Sequence, residues 1–312
     1  MKQRYLWIGM ALIMISWVGN YLYFQSKQLA APIFLDHYYE AYGEDEVQLT
    51  FYYLTNKKNP ADVSYVRIDD VEGYPHQPAG NWIWQDNQNQ VQYEQAFRHH
   101  YLRSVTIRFN LRMSELFADG KESYAFKEMD VFFQDQTDIT ADIGEVIIYK
   151  NRNDDPIFDN PVSSGSNQHR AQKSIVARQP VTIEEMDVPF EEVANDVSMK
   201  VHLQRPRPDG ITTEGSSPDW VQGKDNDDWE RLPGDDIVEG LFPIYIEESD
   251  RIRLYLAFNP NRTSYFDFSI HIKGKTGDGQ DFIYQTPFID SPYLTQESVD
   301  QIIGKVEGGE VE

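Results

Sequence analysis

Apolar residues fall into two kinds of pattern along this chain. One unbroken run, YLWIGMALIMISWVGNYLYFQS from Tyr5 to Ser26, contains no charged side chain. Beyond it, apolar and polar positions alternate with period two, which puts one set of β-strand side chains on a core face and the other in water. Val47, Leu49, Phe51 and Tyr53 form the first row, and Val105, Ile107, Phe109 and Leu111 the second. Val197, Met199, Val201 and Leu203 follow, then Ile252, Leu254, Leu256 and Phe258, and the cleanest row is Phe266, Phe268, Ile270 and Ile272. Short apolar runs, VFF from Val131 and VIIY from Val146, predict strands covered on both faces. The chain is expected to be mainly β.

Turn residues divide these rows. Asn259, Pro260 and Asn261 lie between two of them, and Asp278 with Gly279 between the rows at Phe266 and Phe282, so three consecutive antiparallel strands are predicted over 250–289. Another hairpin is predicted from Trp82–Trp84 and Val91–Tyr93 across a loop of Asn, Asp and Gln. Helix signals are few. Ser114 marks a short turn through Phe117 to Gly120, and Thr295 caps a helix carrying Val299, Ile302 and Ile303 on one stripe.

Two polar stretches interrupt the rows. Between Asn151 and Arg170 only Ile157, Phe158 and Val162 are apolar, which predicts a linker or long surface loop over 151–180. The other, within 205–240, is read as an excursion from a second unit. The expected layout is an anchor over 1–27, a first β-sandwich over 28–150, a second over 181–290, and a short helix with a frayed tail over 291–312. One enlarged sandwich is the alternative. The segments starting at Asp45 and Asp250 share a strand, an Asn-containing turn and a second strand, a weak sign of duplication.

The apolar run reads as a membrane span. Twenty helical residues reach roughly 30 Å, the thickness of a bilayer's hydrocarbon core. Tyr5 and Trp7 stand near one end and Trp17, Tyr21, Tyr23 and Phe24 toward the other, as in interfacial aromatic belts. Lys2 and Arg4 precede the span, so the positive-inside tendency leaves a cytoplasmic stub of about four residues and sends the rest outward, with the bilayer as partner of residues 5–24. A cleaved signal peptide is the competing reading, with Ala30 and Ala31 near the run. An uncleaved anchor is preferred, because the run is long and ends in bulky aromatics.

Composition then narrows the possibilities. The 312 residues include no cysteine, which excludes disulfides, thiolate chemistry and cysteine-bound metal centres. The net charge is −23; removing Lys2, Arg4 and Lys27 from the 28 basic residues leaves 25 against 51 acidic ones, or −26 outside the membrane. Such a surface repels nucleic acid and anionic lipid alike, so membrane contact is expected to be confined to the helix. A large exported domain without disulfides points to a bacterium, with a Gram-positive source expected.

Catalytic signatures are missing: there is no GxSxG, HExxH, Walker-type GxxxxGK[ST] or GxGxxG. Asp225, Asp227 and Asp228, with Asn226, form the densest oxygen-ligand cluster, an irregular calcium site if any; their spacing does not match an EF-hand. His99 and His100 are adjacent, and on an extended strand would face opposite ways. Trp82 and Trp84 share one face of a strand at i and i+2. Trp220 and Trp229 sit among residues too polar to bury them, and are the best candidates for a recognition surface. The expected role is non-catalytic binding of a protein or polysaccharide outside the cell. A tethered glycoside hydrolase, which needs two carboxylates across a sugar, is the alternative.

Overall fold

The computed structural model describes residues 2–43, 45–76, 92–111, 117, 121–151, 157–166, 169–203, 229, 232–237 and 240–309. Helix α1 spans Lys2–Gln25. The strands, in chain order, are β1 (Ile33–Phe34), β2 (His37–Tyr42), β3 (Glu46–Asn56), β4 (Val63–Ile68), β5 (Val71–Pro75), β6 (Gln95–Ala96), β7 (His100–Asn110), β8 (Ser123–Phe133) and β9 (Asp138–Tyr149). Then follow β10 (Phe158–Ser166), β11 (Arg170–Ala177), β12 (Val181–Asp187), β13 (Val197–Leu203), β14 (Asp235–Asp236), β15 (Ile244–Ile246), β16 (Arg251–Phe258), β17 (Tyr265–Thr276) and β18 (Asp281–Asp290). A 3-10 turn covers Glu191–Asp196, and helix α2 spans Gln296–Gly309. The protein is mostly β, as expected.

Among the described residues, thirteen strands form one sheet ordered β1-β3-β7-β5-β4-β8-β9-β2-β17-β12-β15, with β18 beside β17 and β6 beside β7. Its first eight strands curl until β3 returns to β2. There the Tyr52 N–H donates to His37 Nε2 at 2.9 Å and the Tyr39 hydroxyl to the Thr50 carbonyl at 2.9 Å. The curl encloses a core that includes Phe51, Ile107, Phe109, Val131, Ile143 and Val146, all nearly fully buried. Val299 of helix α2, with Leu294 just ahead of the helix, closes it.

A second core fills the space between β17, β12 and β18 and a separate five-stranded sheet ordered β10-β11-β16-β13-β14. Phe266, Phe268, Ile270 and Ile272 of β17 face Ile252, Leu254, Leu256 and Phe258 of β16 across this space. Each contributes about 1.5–3 kcal/mol by leaving water. Strand β2 joins the two cores, pairing parallel with β9 on one side and with β17 on the other.

Three expectations change. The Asn259–Asn261 turn does not make a hairpin, because β16 belongs to the five-stranded sheet and β17 to the larger one. Two strands that both carry an apolar row bury more surface by facing each other than by lying side by side. The equivalent turn after β3 behaves alike in not being a hairpin, since β3 pairs with β1 and β7 while β4 pairs with β5 and β8. The stretch read as a polar linker carries β10 and β11, with Phe158 and Ile175 in the second core. Strand β10 lies at a sheet edge, where backbone pairing with β11 holds it with few apolar side chains. Finally, the runs at Val131 and Val146 are not covered on both faces, for Phe132, Ile147 and Tyr149 are only half-buried.

The hairpin at Asp278 and Gly279 does form. Gly279, at φ +86°, donates its N–H to the Thr276 carbonyl at 2.8 Å and closes the four-residue connection between β17 and β18. Thr295 caps α2 as expected, its Oγ1 accepting the Ser298 N–H at 3.1 Å.

Candidate functional site

Trp229, expected on a recognition surface, is 1% exposed. It packs with Tyr255, Ala257 and Leu232 on the outer face of the five-stranded sheet. Lys200 Nζ lies 5.4 Å from its ring and donates to its carbonyl at 3.0 Å. The outer face of the sheet covers this indole, which its neighbours in sequence could not do. Trp82, Trp84, Trp220, Asp225, Asp227 and Asp228 lie outside the described residues, as does the hairpin built on Trp82 and Trp84. Among the described residues no group of three or more His, Asp or Glu side chains is placed to hold a metal ion.

The structure instead forms a cleft beneath α2. Its walls come from Pro32 through Asp36, from Ile139 to Asp142 of β9, and from Ile302, Lys305 and Val306 of α2. The volume is about 430 Å³, within the range of small-ligand sites. The stripe that docks α2 explains the opening. Val299 is fully buried and Ile302 and Ile303 half-buried, so the following turn, with Lys305 and Val306, overhangs β1 and β9 without sealing against them.

Two carboxyl groups face this cleft. Asp36 reaches solvent, but desolvation by the cleft walls packed around its carboxyl, and then the negative charge of Asp142, raise its pKa; Lys305 opposes the shift and Glu192 adds to it. Asp142 Oδ1 accepts the Gly144 N–H at 3.2 Å, which holds its carboxylate at the strand bend. Gly144 has φ +82° and sits opposite His37 in the β2–β9 ladder, where a Cβ would lie 2.8 Å from both His37 N and His37 O. Glycine is therefore required for β9 to approach β2 there. The cleft thus combines apolar walls, two acidic groups and one lysine, and suits a small ligand with an apolar body and hydrogen-bond donors. Among the described residues no tryptophan lines it.

Two further polar groups are buried along β2. His37 is completely buried, its ring stacked near Tyr52 and Tyr265 and edge-on to Phe51. Burial depresses its pKa to about 3, so the ring is a neutral acceptor for the Tyr52 N–H. Glu40, whose side chain has no exposure, accepts the Ser269 N–H at 2.6 Å and lies 2.8 Å from His271 Nε2. Its place follows from topology: β2 pairs with β17 only over residues 265–267, and β12 takes over from 271. The carboxylate fills the fork between them, where the Ser269 amide would otherwise face no acceptor. Neither residue stood out in the sequence, where Glu40 is one of 51 acidic side chains.

No protein-family model matches the chain, and no curated protein matches it. Among solved structures it is similar to the collagen adhesin of S. aureus, at 11% identity over 80% of this chain and 90% of that one, with a TM-score of 0.18. It is also similar to the collagen binding domain of the Erysipelothrix rhusiopathiae surface protein RspB, at 10% identity over 84% and 94%, with a TM-score of 0.20. At these TM-scores no property of either protein carries over to this chain.

Proposed function

We propose that the chain is a membrane-anchored, non-catalytic binding module displayed outside the cytoplasmic membrane, taking a ligand in the cleft beneath α2. The observation that carries this reading is α1. Its 19-residue segment Trp7–Gln25 is apolar and none of it is buried inside the fold, whereas the other long apolar rows are packed into two cores. A greasy rod of that length finds its missing burial in a bilayer. The orientation follows from Lys2 and Arg4 ahead of the span.

The test is alkaline extraction of membranes from expressing cells, followed by protease treatment of intact cells with their wall removed. Retention in the membrane pellet, with digestion of the β body from outside, supports the reading; release into the supernatant, or protection of the body, overturns it. One observation favours a second reading, a tethered glycoside hydrolase: Asp36, with its raised pKa, lies in the same cleft as Asp142. Release of reducing ends from wall polysaccharide, abolished by D36N and by D142N, would establish that reading in place of the first.

A further inference from the structure

The end of α1 enters the β body through a small cluster of contacts. Asn56 exchanges two hydrogen bonds with the Leu29 backbone, each of 2.9 Å, and His100 Nε2 lies 2.9 Å from the Lys27 carbonyl. The rings of Tyr23 and Phe24 meet His99 edge-on at 6.4 and 6.1 Å. These contacts place the 57–60 turn and the 97–100 turn at the level of the helix's last aromatic residues; Lys57 N donates to the His99 carbonyl at 3.0 Å and ties the two turns together.

This junction is where cations gather on a strongly acidic protein. Lys58 Nζ lies 5.9 Å from the Phe24 ring and Lys27 Nζ 5.9 Å from the Tyr23 ring. Lys57 Nζ lies 5.2 Å from the Tyr101 ring, and Arg98 is exposed beside them. Several cations elsewhere are matched: Arg67 with Asp130, Arg103 with Asp62, Arg108 with Glu46, Lys127 with Glu192, and Arg178 with Asp159. Lys27, Lys57, Lys58 and Arg98 make no ion pair with a described carboxylate. Asp300 and Glu307 of α2 share a pocket of about 250 Å³ with Lys27 and Arg98, yet pair with neither.

We propose that Lys27, Lys57, Lys58 and Arg98 form a basic collar that binds anionic phospholipid headgroups of the leaflet from which α1 emerges. The proposal rests on reading α1 as a membrane span. Tyr23 and Phe24 then lie at headgroup depth, and the four cations, within reach of those rings or of their neighbours, face the phosphates. The collar counters, at the one place where the body meets the bilayer, the repulsion that its −26 charge would otherwise feel.

The experiment is spin-label electron paramagnetic resonance on the full chain in phosphatidylcholine vesicles, with spin-labelled phosphatidylglycerol or spin-labelled phosphatidylcholine as probe. A bilayer-spanning α1 yields a motionally restricted fraction with both probes. The collar adds a preference for phosphatidylglycerol of about two- to fivefold, since each cation near the surface favours an anionic lipid roughly fivefold and neutral positions around the helix dilute this. The preference should fall in K57Q/K58Q/R98Q to what Lys27 and, at the other end of α1, Lys2 and Arg4 leave, vanish in wild type at molar salt, and persist undiminished in K127Q/K273Q; a preference unchanged in the triple variant overturns the collar. A restricted fraction without headgroup preference overturns the collar and leaves the anchor standing; no restricted fraction with either probe overturns both. A preference that survives molar salt also overturns the collar, whatever the folding of the triple variant.

Discussion

Replacing Glu40 with alanine tests whether the fork between β2 and β12 depends on one carboxylate. The substitution leaves the Ser269 N–H without its 2.6 Å acceptor and His271 without its 2.8 Å partner, in a place where the Glu40 side chain has no exposure and Ser269 is 2% exposed. Hydrogen bonds to a charged group are worth about 1.5–3 kcal/mol each, so two of them suggest roughly 3–6 kcal/mol. Relief of the carboxylate's own desolvation lowers that sum. Breaking buried charged pairs by removing one partner costs about 3–5 kcal/mol in measured cases, which is the expected range. For a chain of 312 residues that is a fall in melting temperature of about 5–8 °C. The assay is thermal unfolding of the full chain in detergent, followed by circular dichroism. E40Q keeps an acceptor for Ser269 and should lose less than E40A. In the double variant E40A/H271A the effects should be sub-additive by about 1–3 kcal/mol, because the second change removes a group that has already lost its carboxylate partner. A melting temperature of E40A within about 2 °C of wild type would refute the assignment of Glu40 as the acceptor that holds the fork.

Other expectations concern pH and backbone. His37 has a native pKa near 3, below its unfolded value, so the unfolded chain takes up the proton first and stability falls as pH drops from about 6.5 toward 3. By pH 4 the loss is about 3 kcal/mol, and H37Q should flatten this acid limb in melts recorded across pH. Asp267 acts in the opposite sense. Desolvation beside a pocket of about 170 Å³, then the charge of Glu40, push it up to about 6, so its native form holds a proton longer than the unfolded one and its contribution to stability falls as pH rises from about 4 to 6. D267N should therefore be the more stable protein at pH 7 and lose that slope, by an amount reduced by solvent because the side chain is exposed. G144A places a Cβ 2.8 Å from two His37 backbone atoms at φ +82° and should cost at least about 2 kcal/mol in the same melts, together with loss of the parallel β2–β9 pairing seen as faster amide exchange in 37–42.

The candidate site was legible only in part. The stripe of Val299, Ile302 and Ile303 behind a Thr295 cap announced α2, and hence one wall of the cleft. Asp36 and Asp142 lie far apart in sequence without a motif between them. The one local hint was Gly144 inside a strand-like run, since glycine there often marks a close backbone approach. The basic collar was masked by composition: an overall charge of −23 says nothing about where four unmatched cations collect.

By itself the sequence determined which side chains face a core, where a rod of membrane length stands, and where the chain turns at Gly279. These are local properties, set by the period-two alternation of the strand, the length of an uncharged run and the sterics of a single residue. Only the tertiary structure decided which strands pair, that β16 and β17 face each other, that Trp229 is covered, and that Glu40 fills a fork. Every strand offers the same backbone donors and acceptors. The choice among partners is therefore made collectively, by how the apolar faces pack and by which buried amides would be left without an acceptor.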